Sequence, residues 1–165
     1  MFDTNIFRHI LDNSIDVSIL KIKGDCYVTH VQLDELVATR DENLKNKLLK
    51  IFHQVVTSEV LTESMVWNVS RWDKGKWSDD PSPTESFVLG VSRLNQAKLG
   101  NGGIYDQIKD ELETLKSKKN NIQDSLIAET AMKNGYILVT DDKDLMTVVN
   151  KIGGTAVTLQ DFQKL

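Results

Sequence analysis

Short apolar runs alternate along the chain with apolar residues spaced as on one face of a helix. The first helical stripe comprises the apolar residues 6, 7, 10 and 11, and Thr4 and Asn5 before it offer capping side chains. The predicted strands are residues 1–2, 26–31, a start at 55–56, 136–140 and 156–159, and the other predicted helices cover 33–37, 44–52, 122–132 and 145–150. Strands separated by helices of this length predict an α/β fold with a parallel sheet.

The middle of the chain contains an internal duplication. Residues 62–78 read TESMVWNVSRWDKGKWS, and residues 84–100 read TESFVLGVSRLNQAKLG. Two copies are too few for a solenoid, so we expect one domain over residues 1–165 with an insertion at 62–100. Large apolar residues fall at helical spacing in each copy, although strand alternation competes, and of the two we favour a helix.

Composition narrows the class of protein. The 165 residues fit one domain, and 40% hydrophobic with 27% charged residues is typical of a globular protein. The lone Cys26 and three histidines exclude an internal disulfide and a four-ligand structural zinc site, and no apolar run reaches the ~18 residues of a membrane span. We therefore expect a cytoplasmic protein without a membrane partner. The net charge of -4 gives no general nucleic-acid footprint, so a phosphate-binding surface must be local or completed by metal ions.

Four acidic residues fall at the ends of predicted strands or the beginnings of the following helices. These are Asp3, Glu35, Asp124 and Asp142. In an open parallel sheet these positions gather at one edge, where ligands bind. The pattern therefore predicts an acidic cluster built from distant parts of the chain.

Each of these carboxylates also has a simpler interpretation. Asp3 and Glu35 could cap a helix or lie on a solvated face, and Asp142 could belong to a polar turn with its acidic neighbours. Asp124 makes the strongest single case, because counting by three, four and seven places it on the apolar stripe of its helix. A buried carboxylate needs a cation or strong donors, although helix-dipole stabilisation is the alternative here.

The motifs around these acids resemble those of PIN-domain ribonucleases, the group that includes VapC-like toxins of toxin-antitoxin pairs. The matching segments are FDTNI at the start, VTHVQLDEL with Thr29 and Glu35, IQDSLIAETA around Asp124, and ILVTDDKDL around Asp142. The resemblance implies a three-layer Rossmann-like fold with about five parallel strands. It also implies that Asp3, Glu35, Asp124 and Asp142 form the acidic cluster, supported by Asn5, Thr29 and Thr140. The duplicated segment is a departure from a minimal PIN domain.

An all-carboxylate cluster suits Mg²⁺ or Mn²⁺, which can hold a phosphodiester and activate a water. We therefore expect the four acids to act as metal ligands and catalytic groups in hydrolysis of RNA. Arg71 and Arg93, at matching places in the two copies, could contact RNA phosphates or simply be solvated. A cognate antitoxin and a second copy of the chain are the further partners that the resemblance suggests.

Other functions remain open at this point. The alternative is a non-catalytic module that binds RNA or protein through a degenerate PIN site. A haloacid-dehalogenase-type phosphatase needs a second acid where Asn5 stands. A receiver-type domain needs an adjacent acidic pair near the first strand, which the sequence lacks.

Overall fold

The computed structural model describes residues 1–64, 66, 69–71, 73–75, 103–115 and 120–165. Within these ranges the chain alternates between helices and very short strands. The elements are α1 Thr4–Asp12, α2 Val17–Lys23, β1 Tyr27–Val28, α3 His30–Val37, α4 Glu42–Val55, β2 Ser58–Glu59, α5 Ile104–Leu115, α6 Asn121–Lys133, β3 Leu138–Val139, α7 Lys143–Lys151, β4 Ala156–Val157 and α8 Leu159–Phe162. None of the helices in these ranges has the length and hydropathy to cross a lipid bilayer.

All strand pairing in the described ranges is parallel. Strand β1 pairs with β2, in the register Tyr27 to Ser58, and β3 pairs with β4. The first residues lie between the two pairs: Phe2 donates its backbone N–H to the Tyr27 carbonyl at 3.1 Å, and Asp3 donates to the Val139 carbonyl at 2.9 Å. The predicted parallel arrangement is confirmed, whereas the strands are seen as two pairs joined through the N-terminus and not as five regular strands.

Helices cover both faces of these strands. Consecutive strand residues alternate between two apolar clusters, with Met1, Leu138 and Ala156 in one and Phe2 and Val139 in the other. The first cluster is completed by α5, α6 and α7, and the second by α1, α2 and α4. This alternation is the period-two pattern of a strand that is buried on both sides.

Several predicted boundaries are wrong. The strand expected at 26–31 ends at Val28, because Thr29 accepts a hydrogen bond from the Val31 N–H and caps α3. The strand expected to begin at 55–56 begins at Ser58, because Val55 is buried on the apolar face of α4. The last strand stops before Thr158, which caps α8. Helices α2, α5 and α8 were not among the predicted elements.

The first copy of the duplication is not a helix in its described residues. Thr62 and Gly75 form a β-bridge, and turns lie between them. Ser64 is buried and donates its hydroxyl to the carboxylate of Glu129 on α6 at 2.8 Å, which anchors the segment through a polar contact. The second copy, 84–100, lies outside the described residues.

Gln32 links α3 to the N-terminal segment. Its side chain is fully buried, accepts hydrogen bonds from the Thr29 N–H and hydroxyl at 2.9 and 2.6 Å, and donates to the Phe2 carbonyl at 2.9 Å. One amide therefore satisfies the start of α3 and fixes the residue that precedes Asp3.

Replacing Gln32 by leucine should lower the free energy of unfolding by about 2–4 kcal/mol, because buried backbone groups lose their partners. The control is Gln54→Leu at an exposed position of α4, which should change it by less than about 0.5 kcal/mol. Urea unfolding followed by circular dichroism measures both. Equal stability of the two variants would show that the Gln32 bonds contribute nothing net.

Candidate functional site

The four predicted acids line one open cavity. Its volume is about 600 Å³. The described residues that line it are Asp3, Thr4, Asn5, Arg8, Glu35, Leu36, Thr39, Leu44, Leu48, Asn120, Asp124 and Asp142. Carboxylates from the N-terminus, α3, α6 and the start of α7 are thus brought to the same place, as the strand-end argument predicts.

Asp3 is the most buried of these acids, with 3% of its surface exposed. Its carboxylate accepts hydrogen bonds from the Thr4 N–H at 2.7 Å, Asn5 Nδ2 at 2.8 Å and Thr140 Oγ1 at 2.7 Å. Asp3 is the N-cap of α1, as its simpler interpretation allowed, whereas Thr4 and Asn5, which also offered capping side chains, lie inside the helix. Burial raises the pKa of Asp3 to about 6, and repulsion from Asp142 acts in the same direction.

Glu35 lies on α3, across the cavity from the start of α1. It accepts hydrogen bonds from the Thr4 hydroxyl and from Asn120 Nδ2, the latter at 3.5 Å. Burial raises its pKa, and the charge of Asp3 raises it further. Two carboxylates that repel each other therefore share a partly dehydrated site.

Asp142 is held as the N-cap of α7. Its Oδ1 accepts hydrogen bonds from the Asp144 and Leu145 N–H groups at 2.9 and 3.2 Å, and its own N–H donates to Thr140 Oγ1 at 3.0 Å. The simpler interpretation of Asp142 was a polar turn; it is a helix cap instead, and this role does not conflict with a place on the cavity.

Asp124 lies in the first turn of α6, where its N–H donates to the Asn120 carbonyl at 3.0 Å. The residues three, four and seven positions further on, Ile127, Ala128 and Ala131, are buried, so the predicted stripe faces the core. Asp124 itself is half-buried at the start of this stripe, and α6 is buried on other sides as well. The fully buried acid of α6 is Glu129, near the other end of the helix. Its carboxylate accepts a hydrogen bond from the Ser64 hydroxyl and forms an ion pair with the Lys133 ammonium at 3.3 Å.

The three supporting polar residues differ in their roles. Thr140 donates to Asp3 and accepts from Asn5 Nδ2 at 3.2 Å, so these residues form one network. Thr29 does not line the cavity; it caps α3 and holds Gln32.

Arg71, the arginine of the first copy of the duplication, does not line the cavity. Arg71 donates two guanidinium hydrogen bonds to the carboxylate of Asp34 on the solvent side of α3. Arg93 lies outside the described residues. A contact between Arg71 and phosphate stays a prediction, and it would require the pair with Asp34 to open.

Sequence reasoning missed Arg8, the cationic side chain that lines the cavity among the described residues. It follows Thr4 by four positions on α1, so the two share a helix face. With Thr4 placed at the site, this spacing would have predicted that Arg8 lies there too. Asn120, which precedes α6 and whose amide contacts Glu35, was not among the predicted site residues either.

The fit of a metal ion can be judged from the donor set. Every acidic group on the cavity offers oxygen, the ligand that Mg²⁺ and Mn²⁺ prefer. Within the described part of the chain, however, no three His, Cys, Asp or Glu side chains are placed to hold one ion together. Mg²⁺ keeps several waters and commonly uses one or two carboxylates, so this donor set fits it.

The raised pKa of Asp3 makes stability depend on pH. Because the folded pKa is about 6 and the ordinary value is 3.8, the folded state holds the proton longer, and stability falls as pH rises through this window. In EDTA the contribution of this group should lower the free energy of unfolding by about 2 kcal/mol between pH 4 and pH 7. The Asp3→Asn variant should lack this loss.

Chemical denaturation across that pH range measures both curves. Asp110→Asn, at an exposed position of α5, serves as the control and should follow the wild type. Parallel curves for wild type and Asp3→Asn would contradict the assignment.

The comparisons with known proteins give one match. The family model described as PIN domain matches residues 29–151, which is more than half of the chain. No curated protein and no solved structure is significantly similar to it. Asp3 lies before the matched range, so its place at the site depends on the geometry above. The alternation of helices with parallel strands is the architecture that this family model implies. The chain therefore belongs to the PIN-domain family, whose Rossmann-like domains are generally nucleases.

Proposed function

We propose that the protein is an endoribonuclease that hydrolyses RNA phosphodiester bonds with Mg²⁺ or Mn²⁺. The observation that supports this most strongly is that Asp3, Glu35, Asp124 and Asp142 come from four separate parts of the chain and line one cavity. Burial of charge is costly, and the fold accepts this cost at Asp3 and Glu35. A divalent cation would offset it.

The ion would be held directly by one or two of these carboxylates and through water by the others, in keeping with their spacing. When bound, it would supply charge for the scissile phosphate and lower the pKa of a water. The products would be a 5′-phosphate and a 3′-hydroxyl end.

The protein's own residues would fix the geometry of the acids. Three donors orient the Asp3 carboxylate, and the hydroxyl of Thr4 orients Glu35. Thr140 connects Asp3 to the backbone of Asp142, so a movement of one acid is transmitted to the other. Such fixed orientation is what catalysis by positioned charge requires.

Four finer expectations belong to this proposal. The whole chain would form a single PIN domain with residues 62–100 as an insertion. A toxin role with a cognate antitoxin and a homodimer follow from the family resemblance, and a cytoplasmic location follows from the composition of the chain; all of these stay predictions. The alternative, an RNA-binding or protein-interaction module without catalysis, is separated from the nuclease by the following experiment.

Purified protein should cleave single-stranded RNA in Mg²⁺ or Mn²⁺ and not in EDTA. Asp3→Asn and Asp124→Asn should each lower the rate by more than about 100-fold, since each removes a carboxylate that would hold the cation whose charge stabilises the transition state. Asp110→Asn should retain the wild-type rate. Gel analysis of end-labelled RNA measures the rates, and circular dichroism checks folding.

RNA that is bound but left intact in all metals would favour the non-catalytic module. Cleavage that survives both site substitutions would remove these acids from the mechanism.

Metal binding should be visible without any substrate. Mn²⁺ at a hundredfold excess over its dissociation constant should raise the melting temperature of the wild type by roughly 5–10 °C. Asp3→Asn should lose most of this rise, whereas Asp110→Asn should keep it. Differential scanning calorimetry with Mn²⁺ and with EDTA measures the shift; equal shifts in all three proteins would mean that the ion binds elsewhere.

A further inference from the structure

The cavity is lined by other groups besides the acids. Apolar residues of α3 and α4 and Arg8 of α1 contribute to its wall. Leu48 is buried, while Leu44, one helical turn before it, is half-buried and lines the same cavity. We refer to this part of the lining, which comprises Leu36, Leu44, Leu48 and Arg8, as the groove.

Arg8 is available for a ligand. Its Nε donates to Asp12 at 2.7 Å in an exposed pair four residues apart, with about half of each side chain accessible. Within the described residues its two terminal nitrogens make no hydrogen bond. An exposed ion pair of this kind holds the Arg8 side chain only weakly. The guanidinium can therefore leave the Asp12 carboxylate and bind a phosphate instead.

We propose that this groove binds the nucleotide next to the scissile phosphate, with Arg8 holding its phosphate and Leu44 packing against its base. The inference rests on the proposed nuclease function. Arg8 lies four residues beyond Thr4, a displacement of about 6 Å along α1, which is on the scale of one nucleotide in an extended strand. An anion near the acids needs a cation beside it, and the planar guanidinium supplies forked donors suited to phosphate.

A nucleotide suits the groove better than an acidic peptide does. The carboxylates of the cavity would repel an acidic peptide and RNA alike. Only RNA, however, has a phosphodiester bond that the acids and their cation could cleave. The apolar side chain of Leu44 would then pack against a base. All four bases have an apolar face, so this contact does not depend on the RNA sequence.

The test measures binding of a fluorescein-labelled single-stranded oligoribonucleotide by anisotropy at several salt concentrations. It is done in EDTA and, with hydrolysis followed in parallel, in Mg²⁺. Arg8→Ala should weaken binding roughly tenfold and reduce the slope of log K against log salt by about 0.7, the contribution of one phosphate contact. Arg8→Lys should keep the slope because it keeps the charge. Leu44→Ala should raise KM several-fold with little change in kcat.

Two controls separate this role from a structural one. Lys109→Ala removes a cation from a comparable pair with Glu113 on α5, away from the cavity, and should change neither affinity nor slope. Asp12→Asn breaks the pair with Arg8 and should not weaken binding, because it releases the guanidinium.

The outcomes distinguish the two proposals. If the wild type cleaves RNA but Arg8→Ala matches Lys109→Ala, or Asp12→Asn weakens binding as Arg8→Ala does, the groove assignment is overturned and the nuclease is not. If the wild type binds with the predicted Arg8 dependence but never cleaves, only the nuclease proposal fails. If it neither binds nor cleaves RNA, both fail.

Discussion

The structure depends on one buried carboxylate at the end of the N-terminal segment. The backbone of Asp3 pairs with β3, and its side chain begins α1 while it accepts three hydrogen bonds. Asp3 thus lies where the two parallel strand pairs meet. An apolar residue there could satisfy neither the Thr4 N–H nor the hydroxyl of Thr140, so the acid serves the fold as well as the site.

Hydrogen bonds made by residues next to Asp3 position other residues of the site. Thr140 receives the backbone N–H of Asp142, and Thr4 reaches across to Glu35. Gln32 fixes the carbonyl of Phe2. Because each contact satisfies a buried polar group, the geometry of the acids is determined by the same hydrogen bonds that order the fold.

The sequence was sufficient to identify the acids of the cavity but not the length of the strands. Acids at strand ends are predictable because parallel strands gather their ends, and this rule does not need exact boundaries. Val55 was misjudged because packing on α4 overrides its strand propensity. The stripe through Asp124 does face the core, but α6 is covered on several sides, so periodicity alone could not show that Glu129 is the fully buried acid of this helix. Helix α5, whose Tyr105, Ile108 and Leu112 are buried at helical spacing, carried a readable signal.

The raised pKa of Asp3 and Glu35 connects stability to function. Without a cation, both groups are held in positions that favour the neutral form, so the folded protein at neutral pH carries an electrostatic cost. We expect a positive charge to offset this cost. Arg8 does not do so, because it pairs with Asp12 on the solvent side and does not contact Asp3 or Glu35. The burial of Asp3 and Glu35 is therefore the reason for the divalent cation in the proposed function.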